Sequence, residues 1–248
     1  AQAGLVLTAE YSDLWKEDKK TETNEVMFAL QHSAKHKIAS NYGKSYYPSD
    51  YSPNAGWADY YGNEDFFKAY PNDDRKEWNY MTEWKIKSGE IIPYTESADK
   101  LPAISKYYDY DEGAPGKSAQ SNGITCIYRY AEVLLMYAEA STRATNSVNQ
   151  DALNAIQEVQ KRAGYQNRQI ELTTTTEPAA FLTAVSNERG WEFFAEMKRW
   201  FELVRLEKVK EVRAEEWDAS TFNTNHHYYF PVPYQQVDLA GWTNNAGY

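Results

Sequence analysis

Several residue groups in this 248-residue sequence have types and spacings that suggest chemistry. Gly113-Ala-Pro-Gly-Lys-Ser118 carries the Gly-Lys-Ser of a phosphate-cradling loop. That loop needs a glycine five positions before the Gly-Lys pair, and Asp111 stands there instead, so the match fails. Asp109, Asp111 and Glu112 cluster carboxylates that would suit a hard cation such as calcium. The following glycine falls one position early for a calcium hand, and the string reads as a solvated acidic loop. His226 and His227 are adjacent, so in a strand they would point to opposite faces and not share one metal. No HExxH, Gly-x-Ser-x-Gly or Cys/His nucleophile arrangement is present. A glycosidase pair of carboxylates is defined by closeness in space, which sequence spacing does not reveal.

The aromatic residues are the best candidates for a binding site. Thirteen of the 38 Phe, Trp and Tyr fall between Tyr42 and Trp84, more than twice the density of the rest of the chain. Trp and Tyr offer rigid apolar faces with a polar edge, so they stack on sugar rings or pack on peptides while amides and carboxylates bond the polar groups. Trp57, Tyr60, Tyr61, Trp78 and Trp84 lie among polar and turn residues, and Tyr46 belongs to the same run. Asn54, Asp59, Asn63 and Asn79 are the neighbours that would bond a ligand's hydroxyls. The competing expectation is that these rings fill a core beneath long loops.

Composition narrows the function classes. A net charge of −10 has the wrong sign for a protein living on phosphate contacts, so nucleic acid is not expected as a partner. The same charge mildly disfavours acidic glycans and acidic peptides. No run approaches the ~18 apolar residues of a spanning helix. The single cysteine, Cys126, excludes an internal disulfide and a Cys-rich zinc site. The first residues lack a signal peptide's basic start and apolar stretch, so the expectation is either a cytoplasmic chain or an N-terminus that lies elsewhere.

The elements that must position these residues can be read from periodicity. Leu5, Leu7, Tyr11, Leu14 and Trp15 suggest a short helix, and Glu25 to Gln31 a buried strand. Residues 33–120 sustain no helical period and recur in turn formers, which predicts a loop-rich ligand region over about 32–122. A helical region follows over about 124–212. Ile127, Tyr130, Ala131, Leu134, Leu135 and Ala138 mark one helix face; a second helix runs from an Asp151 cap to Gly164. Together they predict a tetratricopeptide-type hairpin, which must pack on other helices. Thr173–Thr176 and Pro178 start a third helix that runs to about Lys210 with a break near Gly190 or Met197. Its Glu188, Arg189, Glu192, Glu196, Arg199 and Arg205 are expected to tie it to its neighbours by charge-assisted pairs. Residues 213–248 return to loop.

Several segments also match one family in the right order. Asn24-Glu-Val-Met-Phe28 is similar to an "EvIF" strand, Asp73-Asp74-Arg75 to a "D-x-R" loop, and Lys106-Tyr107 to a "KY" motif. Tyr128-Arg-Tyr-Ala-Glu-Val-Leu-Leu-Met-Tyr-Ala-Glu-Ala140 is close to "RyAEvlLmyAEA", Asn154–Gly164 to "lN-x-vR-x-RAG", and Glu188–Arg205 to "ER…E…RwfDLvR". Phe230-Pro-Val-Pro233 to Asn245-Ala-Gly-Tyr248 is similar to a closing "PIP…QNPGY". On these segments the sequence resembles the SusD/RagB family, with modest departures such as Val232, Glu202 and Ala246, where Ile, Asp and Pro are usual.

The resemblance implies a mainly α, SusD-like fold of which this chain is the C-terminal half of a single domain, the N-terminal half missing. It implies a non-catalytic binding protein, a surface-exposed lipoprotein of the cell outer membrane held by a lipid anchor outside this sequence; no cofactor or metal site is assigned, and calcium binding is left open. Such a protein binds an oligosaccharide and passes it to a SusC-like TonB-dependent transporter. The alternatives are a peptide-binding member of the family, a glycan-active hydrolase, and a helical scaffold for protein partners.

Overall fold

The computed structural model describes residues 4–52, 54–107, 121–212 and 224–248. Gly113–Ser118 and the acidic string Asp109, Asp111 and Glu112 lie outside them. The described residues form ten helices, most of them short, and six short strands. They divide into two compact units, Ala1–Glu196 and Met197–Tyr248.

The helical core of the first unit is built where apolar periodicity is strongest. Helices α4 (Tyr130–Thr145), α5 (Gln150–Arg162) and α6 (Pro178–Glu192) enclose one cluster that includes Leu134, Leu135, Ile156, Val159, Phe181 and Val185. The expected α4–α5 hairpin therefore gains α6 as a partner. The opposite face of α4 keeps Val133, Met136 and Tyr137 exposed, so this helix is apolar on two sides.

Three local expectations are corrected. Ile124–Arg129 is strand β6 and not the start of α4; it pairs antiparallel with β1 (Val26–Gln31). Its β-branched Ile124, Thr125 and Ile127 favour a pleated surface, and Ile124 and Cys126 alternate into a second core cluster. β1 is expected to be buried but is exposed at Phe28 and Leu30, because one face of this two-stranded sheet is uncovered. The cap of α5 is Asn149, whose Oδ1 accepts from Ala152 N at 2.8 Å, with Asp151 inside the first turn. Gly164 does end the helix with φ +84°, and a Cβ there would meet Asp74 Oδ2 at 2.2 Å.

The region expected as loop contains helices α1 (Tyr42–Tyr46), α2 (Glu64–Ala69) and α3 (Asp74–Asn79), all too short to show a period. Two small antiparallel pairs complete it: β2 (Tyr80–Met81) with β5 (Ala103–Ile104), and β3 (Glu83–Lys85) with β4 (Ile91–Pro93). Near the start of the chain, Tyr11–Leu14 forms a single 3-10 turn that brings Tyr11, Leu14 and Trp15 into the second core cluster.

The third helix breaks where Ala195 and Met197 take positive φ, and in the second unit helical structure resumes as α7 (Arg199–Arg205) and α8 (Val209–Val212). The tail contains α9 (Thr224–His227) and α10 (Tyr234–Ala240). His226 and His227 thus sit on a helix and not a strand, with rings edge to face at 4.8 Å. The closing segment folds back on Phe230–Pro233 through Asn244 Oδ1, which accepts from Val232 N at 2.8 Å, and Asn245 Nδ2, which donates to the Phe230 carbonyl at 2.6 Å.

Candidate functional site

The strongest charges of the first unit meet inside it. Asp73 caps α3, accepting from Arg75 N and Lys76 N, and this turns Arg75 inward, where its guanidinium bonds Asp73 (2.6 Å), Glu188 (2.6 Å) and Glu192 (2.8 Å). At the end of β6, Arg129 reaches Glu25 (2.8 Å), Glu196 (2.9 Å) and Glu192. Arg162 from α5 joins Glu25 at 2.9 Å and also Glu192. Lys106 bonds Glu196 at 2.7 Å and the Phe194 carbonyl at 2.6 Å, with its ammonium 4.3 Å from the Trp15 ring centroid. Four cations and five carboxylates thus share one site, and all but Arg162, itself 4% exposed, have fully covered side chains.

The "EvIF", "D-x-R", "KY", arginine, "RAG" and "ER…E" segments each supply members of this cluster. Its carboxylates are closed to any ligand and held by cations, so its work is to join segments. The expected role of Glu188, Glu192 and Glu196 as ties is what the geometry gives. Arg189 lies 3.8 Å from Glu132, and Arg199 pairs with Glu202 at 3.4 Å inside α7.

Burial raises the Glu192 carboxyl, but Arg162, Arg129 and Arg75 outweigh it and hold the group far below the ordinary range. Glu196 is lowered in the same way by Arg129 and Lys106, against burial. Desolvation pushes the Lys106 ammonium down to about 8 despite Glu196. In the unfolded chain a glutamate titrates near ~4.3. The stability that Glu192 contributes is therefore complete above that pH and is lost as pH falls toward its folded value. Burial raises Glu188 and Asp73, which therefore act in the opposite sense, so the test is the difference between variants: between about pH 2 and 5, Glu192→Gln should reduce the slope with which stability is lost in acid by up to about one proton. An unchanged slope would mean that Glu192 is not held ionised.

The sequence candidates separate into two groups. Trp84 is only 3% exposed, on β3, with its indole N–H donated to Asp50 at 2.8 Å and its ring in a core with Tyr47, Met81 and Ala103. Asn79 is fully buried, donating to the Tyr70 hydroxyl at 2.9 Å and accepting from Tyr11 at 3.2 Å. Both belong to the interior, so neither faces a ligand from here. Trp78 is half-buried and donates to the Lys106 carbonyl at 3.3 Å, and Tyr61 is tied to Asp99 at 2.8 Å. Asn63 is exposed, but its side chain caps α2, accepting from Phe66 N at 2.9 Å. Asn54 is half-buried.

The remaining residues form a small surface. Trp57 and Tyr60 are 51% and 62% exposed, with exposed Asp59 between them. Their loop is laced to α1: Trp57 N donates to the Lys44 carbonyl at 2.7 Å, Ala58 N to Tyr47 at 3.0 Å, and Asp59 N to Ser45 at 2.9 Å. Gly56 permits this approach, since a Cβ there would sit 2.0 Å from the Tyr47 carbonyl oxygen. Tyr46 supports Tyr60 at 5.8 Å between ring centroids and stacks on buried Tyr107 at 6.1 Å. The lacing also puts the Lys44 ammonium 5.0 Å from the Trp57 ring centroid. Sequence reasoning passes over Lys44, because no periodicity links positions 44 and 57. Among the described residues no group of metal-ligating side chains could hold an ion, and no helix is long and apolar enough to cross a membrane.

Comparison with known proteins places this geometry. A family model described as the SusD family matches residues 82–248. SusD-like protein P2 of Formosa agariphila is 25% identical over 272 aligned residues, which cover all of this chain and 53% of that protein. The solved SusD homologue of Bacteroides thetaiotaomicron superposes with a TM-score of 0.79 at 20% identity, covering 100% of this chain and 57% of that one. Surface glycan-binding protein A of Bacteroides thetaiotaomicron, solved in complex with laminarihexaose, superposes with a TM-score of 0.72 at 22% identity, covering 97% and 56%. The chain spans about half the length of the relatives it matches.

Proposed function

The chain belongs to the SusD/RagB family, and from that premise we propose that it binds a glycan without catalysing a reaction on it. The observation that carries this reading is the pair of exposed rings, Trp57 and Tyr60, held on a loop pinned along α1. Rings fixed in advance lose little freedom on binding, and a sugar's apolar face stacks on such surfaces. A structural relative solved with laminarihexaose supports the choice of ligand class. Absence of catalysis is supported by the burial of Asp73, Glu25, Glu188, Glu192 and Glu196, each held by at least one cation. The wider role follows the family: a lipoprotein at the surface of the outer membrane, delivering its ligand to a SusC-like TonB-dependent transporter.

A tryptophan-fluorescence titration with neutral oligosaccharides and short peptides tests the site. Trp57→Ala should weaken oligosaccharide binding by about 5- to 150-fold, in line with ~1–3 kcal/mol for loss of a stacking ring. Its stability should change by less than about 0.5 kcal/mol. Binding of peptides alone would replace the glycan by a peptide, and saccharide binding unaffected by Trp57→Ala would move the site elsewhere.

A further inference from the structure

Among the described residues, the ammonium groups of Lys16, Lys76 and Lys106 also lie over rings, but those rings, Trp78, Phe67 and Trp15, are partly or fully buried, whereas Lys44 lies over the exposed Trp57. Lys16, Lys19 and Lys106 each have a carboxylate within 2.9 Å. Lys20 donates to two backbone carbonyls, and Lys76 donates to the Tyr70 carbonyl. Lys44 is half-buried, its ammonium rests over the Trp57 ring, and no carboxylate of the described residues pairs with it. The arrangement is built rather than incidental, because the hydrogen bond from Trp57 N to the Lys44 carbonyl fixes the two residues side by side. A cation over one face of an indole leaves the other face for a stacked sugar, and an anionic substituent that reaches past the ring edge meets the ammonium.

We propose that Lys44 makes this surface selective for glycans whose stacked residue carries an anionic substituent, a carboxylate or a sulfate. The inference rests on the glycan reading above and runs against the sign of the protein's net charge of −10. Range reconciles the two: at physiological salt, charges beyond ~8 Å are largely screened, whereas an ammonium and an anion in contact still attract and lose that attraction only as salt is raised further. Asp59, the acid in the same loop, is solvent-exposed and forms no ion pair with Lys44. Anion and ammonium would meet as a rim-type charge pair, which adds discrimination more than affinity.

Matched ligands test this: an oligogalacturonate against its carboxyl-reduced counterpart, a sulfated oligosaccharide against its desulfated counterpart, and laminarihexaose as an unrelated neutral glycan. At low salt the wild type should favour the anionic member of a pair by about fivefold, the upper end for an exposed ion pair. The preferred pair distinguishes carboxylate from sulfate. The ratio should fall toward one in Lys44→Met and in high salt, with the melting temperature of the variant unchanged. A wild-type ratio at or below one, or a ratio that survives Lys44→Met, overturns the inference. If laminarihexaose still binds in a Trp57-dependent way in that case, the glycan reading stands alone. If no saccharide binds, both are overturned.

Discussion

Arg129→Met is expected to cost about 3–5 kcal/mol of stability, because it leaves Glu25, Glu192 and Glu196 buried with one cation fewer among them. The cost comes from the stranded carboxylates and not from any net gain the ion pairs give over apolar packing. Methionine keeps most of the side chain's volume, and so separates the charge from the packing against Phe193, whose ring centroid lies 4.6 Å from the guanidinium carbon. Urea denaturation monitored by circular dichroism reads the loss. A change below about 1 kcal/mol would show that the carboxylates find water or protons instead. Raising the acidity should then shrink the deficit, since protonated glutamates no longer need the arginine.

Trp84→Ala is expected to cost about 3–5 kcal/mol, the range for removing a large aromatic from a packed core. It also strips Asp50 of the indole N–H bonded at 2.8 Å. The contrast with Trp57→Ala makes the test sharp: two tryptophans of one aromatic run, one changing stability and the other binding. If Trp84→Ala left denaturation within about 1 kcal/mol, the core around Tyr47, Met81 and Ala103 would not be packed as described.

The two tryptophans also show how much the sequence could say. Both sit among polar and turn residues, so neighbours alone predict exposure for each. Trp84 is buried by its strand partner Ile92 and by Tyr47, which is 37 positions away, a relation that no local pattern encodes. Gly164 was legible because helix termination is a local event. The start of α4 was not, because Ile127 fits a helical period equally well and only pairing with β1 makes it a strand residue. The family motifs were legible as strings, yet their purpose was hidden. Charged residues are ordinarily read as surface, and only the fold shows that Asp73 and Arg75 pair in the interior and that Lys106 and Arg129 meet buried glutamates there. The ligand surface was least legible, since Lys44 reaches Trp57 through a chain reversal and not a spacing.

The charge cluster also constrains the order in which the protein can fold. Most of its bonds join residues far apart in sequence, up to the 137 positions between Glu25 and Arg162, although Arg75 and Asp73 are only 2 apart and Arg162 and Glu192 30 apart. Closing such long loops is entropically slow, and apart from the Asp73–Arg75 pair each member takes its counter-charge from another segment. Collapse that traps one glutamate away from its arginine carries an unpaid desolvation penalty and reopens. The cluster thus penalises any compact arrangement in which one of its segments is missing.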